Sequence, residues 1–547
     1  MTLKANLTKL AIASAITACF LTAPLTAFSA THPVTGEELA KEQTYTYRLL
    51  DGIPTLDPQL NEDVEGSVVS RDLFEGLLNE DAEGKLIPGV ALSYEASEGN
   101  TAYTFKLRKS NWSNGDPVTA NDFVYAWRRA IDPKTASPYK WYMEIMGIKN
   151  VKAVGKGEMK PEELGVEAVD DYTLKVTLEN ALPYFASMTT HTTTFPTHQA
   201  TIEKHGDKWT RPENMVSNGA YKLTEWVLKE RSVRERNTKY WNNDATIIDK
   251  VVALVINDEN VALTRYKAGE LDKTEVPAGQ YPALKKSHPD EAFSFPRLCN
   301  YYYTFNMSYS DMAPKAFKDV RVRKALSYAV DRNVIINNVL KGGQYPAYTF
   351  TPEATAGFSV PNVEYASWTQ AERDAKAVEL LAEAGYGKDN PLEFNMLYNS
   401  SEAHKKVATV LSQMWKQKLG VKAVMANQEW KTFLETRSKQ NFELARGAWC
   451  GDYNEASTFL DLLTKAHGNN DGKFSNSDFD RLMADAKTSA DPSENYTKVE
   501  QILADEMPVI PLYHYTGVLM LKPNFKGWPF KNVQQTMYSR NFYKTAK

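Results

Sequence analysis

The sequence predicts an α/β fold. Strand-like and helix-like segments alternate along the chain, several helical stripes carry their own capping residues, and 547 residues leave room for a large core and about three or four domains. The first thirty residues stand apart. Lys4 and Lys9 give a positive start, Leu10 to Phe28 is apolar and uncharged, and Ala27-Phe28-Ser29 places small residues before Ala30. This pattern predicts a secretory signal peptide cut near Ser29-Ala30. Two alternatives stay open: an N-terminal anchor, and a lipoprotein signal in which Ile16-Thr17-Ala18 precedes a lipidated Cys19.

Tyr103-Thr104-Phe105-Lys106-Leu107-Arg108 alternates with period two and predicts a strand, and Asn114-Gly115 predicts a turn. Thr119 is placed to cap a helix over 121–130, with Phe123, Val124, Trp127 and Ala130 on one face. Thr369-Gln370-Ala371-Glu372 is a capping box for a helix through Leu380, Leu381 and Ala384 that stops at Gly385. Val407, Val410, Leu411, Met414 and Trp415 make a further amphipathic stripe ending before Gly420. No fixed-period repeat and no Pro/Gly/Ser linker is visible, so the domains are expected to join by short crossings.

Composition narrows the functional classes. Sixty-four Lys+Arg against 68 Asp+Glu give a net charge of −4, too balanced for a basic nucleic-acid surface or an acidic tail. The mean hydropathy of −0.47 and the absence of any later long apolar run fit a water-soluble mature chain. With Cys19 removed alongside the signal, Cys299 and Cys450 remain, an even number in an exported chain. A disulfide is the expectation, with two buried free thiols as the alternative. The chain has no G-x-S-x-G elbow, H-E-x-x-H motif or phosphate-binding G-x-x-x-x-G-K-[ST] loop. Its eight histidines include no metal-ligand spacing; His191 and His198 are seven apart without acidic or Cys company. The segment from His467 to Gly472 superficially resembles a calcium loop, but His467 stands where the first carboxylate belongs and Asp478 where the closing Glu belongs, so a plain turn is expected. No catalytic residue, cofactor or metal is expected.

Eight stretches resemble one family in the same order. They are Leu56-Asp57-Pro58, the run from Ser70 to Leu77, the run from Trp112 to Phe123, Asn218-Gly219-Ala220-Tyr221, Tyr240-Trp241-Asn242, Asp319 to Arg323 with Asp331-Arg332, Asn427 to Phe433, and Trp449 to Glu455. Together these blocks resemble the extracytoplasmic solute-binding proteins of peptide ABC importers, in particular the periplasmic oligopeptide-binding proteins of Gram-negative bacteria. The resemblance implies a two-lobed, periplasmic-binding-protein-like fold of three domains with a ligand cleft between the lobes. Domain I would take 30–74, 198–298 and 516–547, domain II 75–197, and domain III 299–515. The crossings would fall near Leu298-Cys299 and Tyr515-Thr516. The implied function is capture of short peptides, about two to five residues or longer, for an inner-membrane ABC permease, by a monomer in the periplasm that does not bind nucleic acid.

The resemblance also implies site residues. Asp452 would meet the peptide amine, and Arg446, Arg437 and His404 would meet the carboxylate of peptides of different length. A buried zwitterion needs such compensation, and the arginine fork suits a carboxylate. Glu62, Asp63 and Val64 match the segment that pairs with the peptide backbone; Trp430 and Trp449 match pocket walls. Gly451, Tyr139, Tyr302, Asn399 and Tyr515 fall at pocket positions, and the disulfide Cys299–Cys450 would tie the Asp452 loop to the start of domain III. Departures exist: Tyr303 is followed by Thr304 where those oligopeptide binders commonly carry Glu, and Glu275-Val276 replace two Asn. Tyr301 to Asn306 and Leu462-Leu463-Thr464 resemble instead a murein-peptide-binding branch, which lacks the two cysteines. Murein-peptide selectivity is therefore the second reading, an exported peptide hydrolase the rival from another class, and an inert exported structural protein the third.

Overall fold

The computed structural model describes residues 30–489 and 491–546. The features of the expected signal peptide, including Lys4, Lys9 and Cys19, lie in residues 1–29, outside the described residues. Among the described residues no helix is long and apolar enough to cross a membrane.

The short elements form where the local sequence directs them. Ala102–Leu107 is a strand in a four-stranded antiparallel sheet with Ala91–Ala96, Thr173–Thr177 and Val166–Asp170. Gly115 takes φ +103° in the Asn114-Gly115 turn, a value that suits glycine. Helix Ala120–Ile131 opens with the Asp122 carboxylate accepting from the Thr119 N–H at 2.7 Å, and buries Phe123, Val124, Trp127 and Ala130. Helix Gln370–Glu383 opens on the Thr369/Glu372 capping box, and helix Glu402–Leu419 stops at Gly420 with φ +71°.

Among the described residues a mixed sheet of eleven strands runs through both lobes. Its spatial order is Tyr221–Val227, Arg231–Arg236, Lys250–Val255, Thr44–Leu49, Lys273–Glu275, Val509–Leu521, Ala292–Phe305, Leu444–Cys450, Glu393–Asn399 and Lys422–Gln428, with Tyr345–Pro346 branching from Val509–Leu521. The strands Ala292–Phe305 and Val509–Leu521 carry the sheet from one lobe to the other. Residues from Ala292 to Pro296 pair with those from Met520 to Thr516, and residues from Asn300 to Thr304 with those from His514 to Val509. Between these stretches Arg297, Leu298 and Cys299 stand opposite Tyr515.

The apolar cores lie mainly on one side of the break or the other, with Tyr453 joining the first from beyond it. One gathers Tyr45, Tyr47, Trp112, Trp127 and Tyr221 with Leu519, Leu521 and Phe542 from the chain's end. Another gathers residues from Tyr301 to Tyr513. The run Tyr301-Tyr302-Tyr303-Thr304-Phe305 is buried on both sheet faces: Tyr301, Tyr303 and Phe305 enter one core, and Tyr302 packs with Leu298, Phe350 and Phe459 in another. Strand period two explains this division.

Several of the stretches that suggested the family meet around structural polar groups. Glu75, buried, accepts from Tyr240 Oη at 2.6 Å, Trp241 Nε1 at 2.5 Å and Asn79 Nδ2 at 2.9 Å, while its N–H donates to Asn218 Oδ1 at 3.0 Å. Asp72 and Arg234 pair at 2.9 Å with almost no exposure. Asp57 pairs with Arg129 at 2.6 Å and accepts from Trp209 Nε1 at 3.0 Å. Each buried charge has partners that offset its desolvation.

Candidate functional site

Cys299 and Cys450 stand opposite each other on adjacent antiparallel strands, Cα–Cα 4.0 Å, and are joined by a disulfide. The bond fastens strand Leu444–Cys450, which carries Arg446 and leads to Asp452, to the strand that crosses between the lobes. Gly451 continues this close packing: its N–H donates to Leu298 O at 2.8 Å, and a Cβ there would lie 2.7 Å from Leu298 Cδ2.

The Asp452 side chain is largely buried, with 10% exposure, and the groups around its carboxylate come from the other lobe. Tyr139 Oη donates to Oδ2 at 3.2 Å and to Oδ1 at 3.4 Å, and His191 Nε2 lies 3.4 Å from Oδ1. His191 Nδ1 accepts from the Thr193 N–H at 3.3 Å, which places the ring proton on Nε2. Burial, then the charge of Arg71, holds His191 well below the ordinary histidine range, so it is a neutral donor. Among the described residues no Lys or Arg forms an ion pair with Asp452. Burial therefore pushes its carboxyl up to about 7, against the Tyr139 hydrogen bond and the more distant Arg71. Tyr139 stacks on His191, ring centroids 5.0 Å apart, and lies parallel to Trp449 at 6.5 Å. Trp449 anchors its backbone through Asn300 Oδ1 at 3.0 Å.

A second group lines a cavity of about 400 Å³ between the lobes: Val64, Asn399, His404, Trp430, Arg446 and Tyr515, with the disulfide in its wall. Arg446 donates from Nη2 to Tyr515 Oη at 2.9 Å and from Nη1 to Asn399 Oδ1 at 3.3 Å, while its Nε is buried without a partner. Both acceptors are neutral, so the guanidinium has orientation but no counter-charge among the described residues. His404 Nδ1 lies 3.4 Å from Tyr301 Oη, and burial with the charge of Arg446 holds its pKa well below the ordinary value. It is therefore a neutral polar group here, not a cation.

The remaining residues lie between these two places. Asp63 caps helix Val64–Leu73, accepting from the Gly66 N–H at 2.9 Å, and accepts from Trp430 Nε1 of the opposite lobe at 3.0 Å. Burial pushes Asp63 up to about 6 against both hydrogen bonds. Arg437 pairs with Asp471 at 2.5 Å, so its charge is already matched within the protein. Glu62 retains surface exposure at the cleft edge; desolvation, then repulsion by Asp63 and Asp471, pushes its carboxyl up to about 7, with Arg437 opposing. Tyr302 is buried beside Gly447, where a Cβ would lie 2.3 Å from its ring. The structure thus brings Asp452, Tyr139 and Trp449 together, gathers Arg446, Asn399, His404, Trp430, Val64 and Tyr515 around the cavity, and sets Tyr302 in the packing beneath. Sequence reasoning missed His191, whose four-residue run His191-Thr192-Thr193-Thr194 carries no motif, and Asp471, read only as part of a turn.

The lobes touch across the cleft. Besides Trp430–Asp63 and Tyr139–Asp452, Lys406 Nζ donates to Ala278 O at 3.1 Å and Lys229 pairs with Glu429 at 3.5 Å.

Comparison with known proteins matches residues 85–471 to the bacterial extracellular solute-binding proteins, family 5 Middle. The periplasmic oligopeptide-binding protein OppA of Salmonella typhimurium is 43% identical over 546 residues, covering 98% of this chain and 99% of that one. The structure of the Escherichia coli murein tripeptide binding protein MppA superposes with a TM-score of 0.90 at 41% identity, covering 93% of this chain and 100% of that one. The unliganded open form of MppA gives 0.68 at the same 41% identity, over 93% of this chain and 98% of that one. The present chain is thus less like the open form than like the first MppA structure, and side chains on the two sides of its cleft are in contact. Haemophilus influenzae OppA in complex with RPPGFSPFR gives 0.88 at 39% identity, again over 93% of this chain and 100% of that one. The fold, the two lobes and the matched residues agree: the chain belongs to the bacterial extracellular solute-binding proteins of family 5.

Proposed function

We propose that this protein is a periplasmic receptor that encloses short peptides between its two lobes and delivers them to an inner-membrane ABC permease. The observation that carries the reading is Asp452, a buried carboxylate held by two neutral donors, Tyr139 and His191, with no cation paired to it among the described residues. A peptide ammonium is the group such a site lacks. Arg446, oriented by Tyr515 and Asn399, supplies the complementary cation for the peptide carboxylate. His404 adds a neutral hydrogen-bonding group, and Arg437, matched by Asp471, serves ligands that reach past Arg446. The Glu62-Asp63-Val64 segment meets the peptide backbone, while Trp430, Trp449, Tyr139, Tyr302 and Gly451 shape the walls. The three-domain division, with hinges near Leu298-Cys299 and Tyr515-Thr516, belongs to the same reading. So do cleavage of a signal peptide near Ser29-Ala30, action as a monomer, and the absence of chemistry, cofactor and metal. The relatives' names as oligopeptide-binding proteins support it.

The second reading is selectivity for murein peptides, favoured by the TM-score of 0.90 to the murein tripeptide binding protein. The experiment that separates the readings incubates purified protein with a mixed pool of short peptides, including a murein tripeptide. Protein and retained ligand are then separated under denaturing conditions and the ligand identified by mass spectrometry. Intact peptides of mixed sequence are expected. Retention of the murein tripeptide alone would move the assignment to the second reading, and cleaved products appearing with turnover would refute the receptor.

A further inference from the structure

Arg297 lies in the break between the two paired stretches of strand Ala292–Phe305, opposite Tyr515, and lines the same cavity as Arg446. Its Nε is buried, and nothing among the described residues accepts a hydrogen bond from it. The acids that act on its charge, Glu275 and Glu65, do so without hydrogen-bonding it. Glu275 is already engaged by Arg48 at 2.9 Å and by Lys273. Glu65 forms no ion pair or hydrogen bond with Arg297, and burial, then repulsion by Asp63 and Asp51, pushes its carboxyl up to about 8, which disfavours its charged form. Tyr515 bonds Arg446 directly at 2.9 Å and stands opposite Arg297 in the strand pairing.

Arg48 and Lys273 also line the cavity but pair with Glu275, which leaves Arg297 and Arg446 as its two cations without an ion pair among the described residues, and these set a requirement on the ligand. A peptide whose only anion is its terminal carboxylate can compensate Arg446 and leaves the half-buried Arg297, with its enclosed Nε, without a counter-charge, which desolvation makes unfavourable. A ligand with a second carboxylate compensates both. Resting on the peptide reading above, we propose that Arg297 is a specificity-determining residue that receives a side-chain carboxylate, so that the cavity selects peptides carrying an acidic residue.

The test is calorimetric affinity for tripeptides with an alanine background and Glu or Gln at each position in turn, with tri-alanine and its C-terminal amide as references. Wild type is expected to prefer Glu over Gln at one position by about tenfold or more, the worth of a charge-assisted hydrogen bond. R297Q should bring that ratio close to one, and R297K should retain part of it. Because the readout is a ratio within each protein, a general loss of affinity does not imitate the result. Should R297Q not fold, R297K alone decides, an undiminished ratio counting against the proposal. No Glu preference in wild type, or a preference surviving R297Q, would overturn it. So would loss in R297Q of the penalty for C-terminal amidation, since Arg297 would then serve the terminal carboxylate. Failure of wild type to bind any of these peptides would refute the peptide reading itself, and this assignment with it.

Discussion

The Tyr139 hydroxyl, from one lobe, donates to the Asp452 carboxylate of the other at 3.2 and 3.4 Å. Closure thus delivers a neutral donor to a buried acid and leaves its charge for a ligand to match. From this contact follows the expected order of events: a peptide ammonium settles on Asp452, and Tyr139 and His191 reach the remaining lone pairs as the lobes meet. Hinge closure around a ligand is the established motion of periplasmic binding proteins.

Replacing Asp452 by Ala should weaken binding of peptides with a free amine by roughly 100- to 1000-fold, the cost of leaving one partner of a buried pair alone. N-acetylated peptides should lose far less. Isothermal titration calorimetry with matched peptide pairs measures both, and equal losses would remove Asp452 from the amine site.

Affinity should also depend on pH in a direction set by Asp452. Its carboxyl titrates near 7 in the closed protein, and only the ionised form attracts an ammonium. Lowering the pH from 7.5 to 5.5, as chosen assay values, should reduce affinity by up to about 25-fold through this group, and D452N should lose that part of the dependence. The ligand-free fold responds in the opposite sense. A carboxyl raised on folding contributes stability that is present below its unfolded value and lost as pH rises through about 7. Denaturant titrations of wild type and D452N at both pH values check this sign.

Much of the fold is legible in the sequence because its signals are local. Thr119 and Thr369 begin helices since a capping side chain and its target amide are three residues apart, and Gly420 ends one since it takes φ +71° without penalty. Cys299 and Cys450 are read as a pair from the redox setting, without geometry. The polar partners of the site are different in kind. Nothing in a one-dimensional pattern links Tyr139, His191 and Asp452, or Arg437 and Asp471, because each set is assembled by tertiary packing across two lobes or two loops. The family resemblance supplies Asp452 and Tyr139 residue by residue. It does not supply Asp471, whose segment reads as a plain turn, or the unpaired Arg297.

Arg446 and Arg437 should differ in effect although both are buried arginines. Arg446 has only neutral partners, so R446A should cost peptides with a free C-terminus about tenfold to 100-fold and C-terminal amides little. Arg437 is matched by Asp471, so R437A should instead lower stability by leaving that acid half-paired in a largely buried site. Calorimetry with amide and acid peptides, alongside urea unfolding, separates the two.

Reduction of Cys299–Cys450 should lower stability by up to about 5 kcal/mol on the chain-entropy model, given a sequence separation of 151. It should also increase the mobility of the Gly451-Asp452 turn, since the bond ties that turn to the crossing strand. Hydrogen exchange of reduced and oxidised protein measures the second effect, with faster exchange expected at 449–453 than across the distant sheet 91–177.

The most direct measurement is a crystal structure of this protein with tri-alanine or another short peptide bound. It should place the ligand between closed lobes, the ammonium within about 3 Å of the Asp452 carboxylate and the chain running toward the cavity lined by Arg446. A peptide bound outside the cleft, or held in it with the ammonium away from Asp452, would contradict this account.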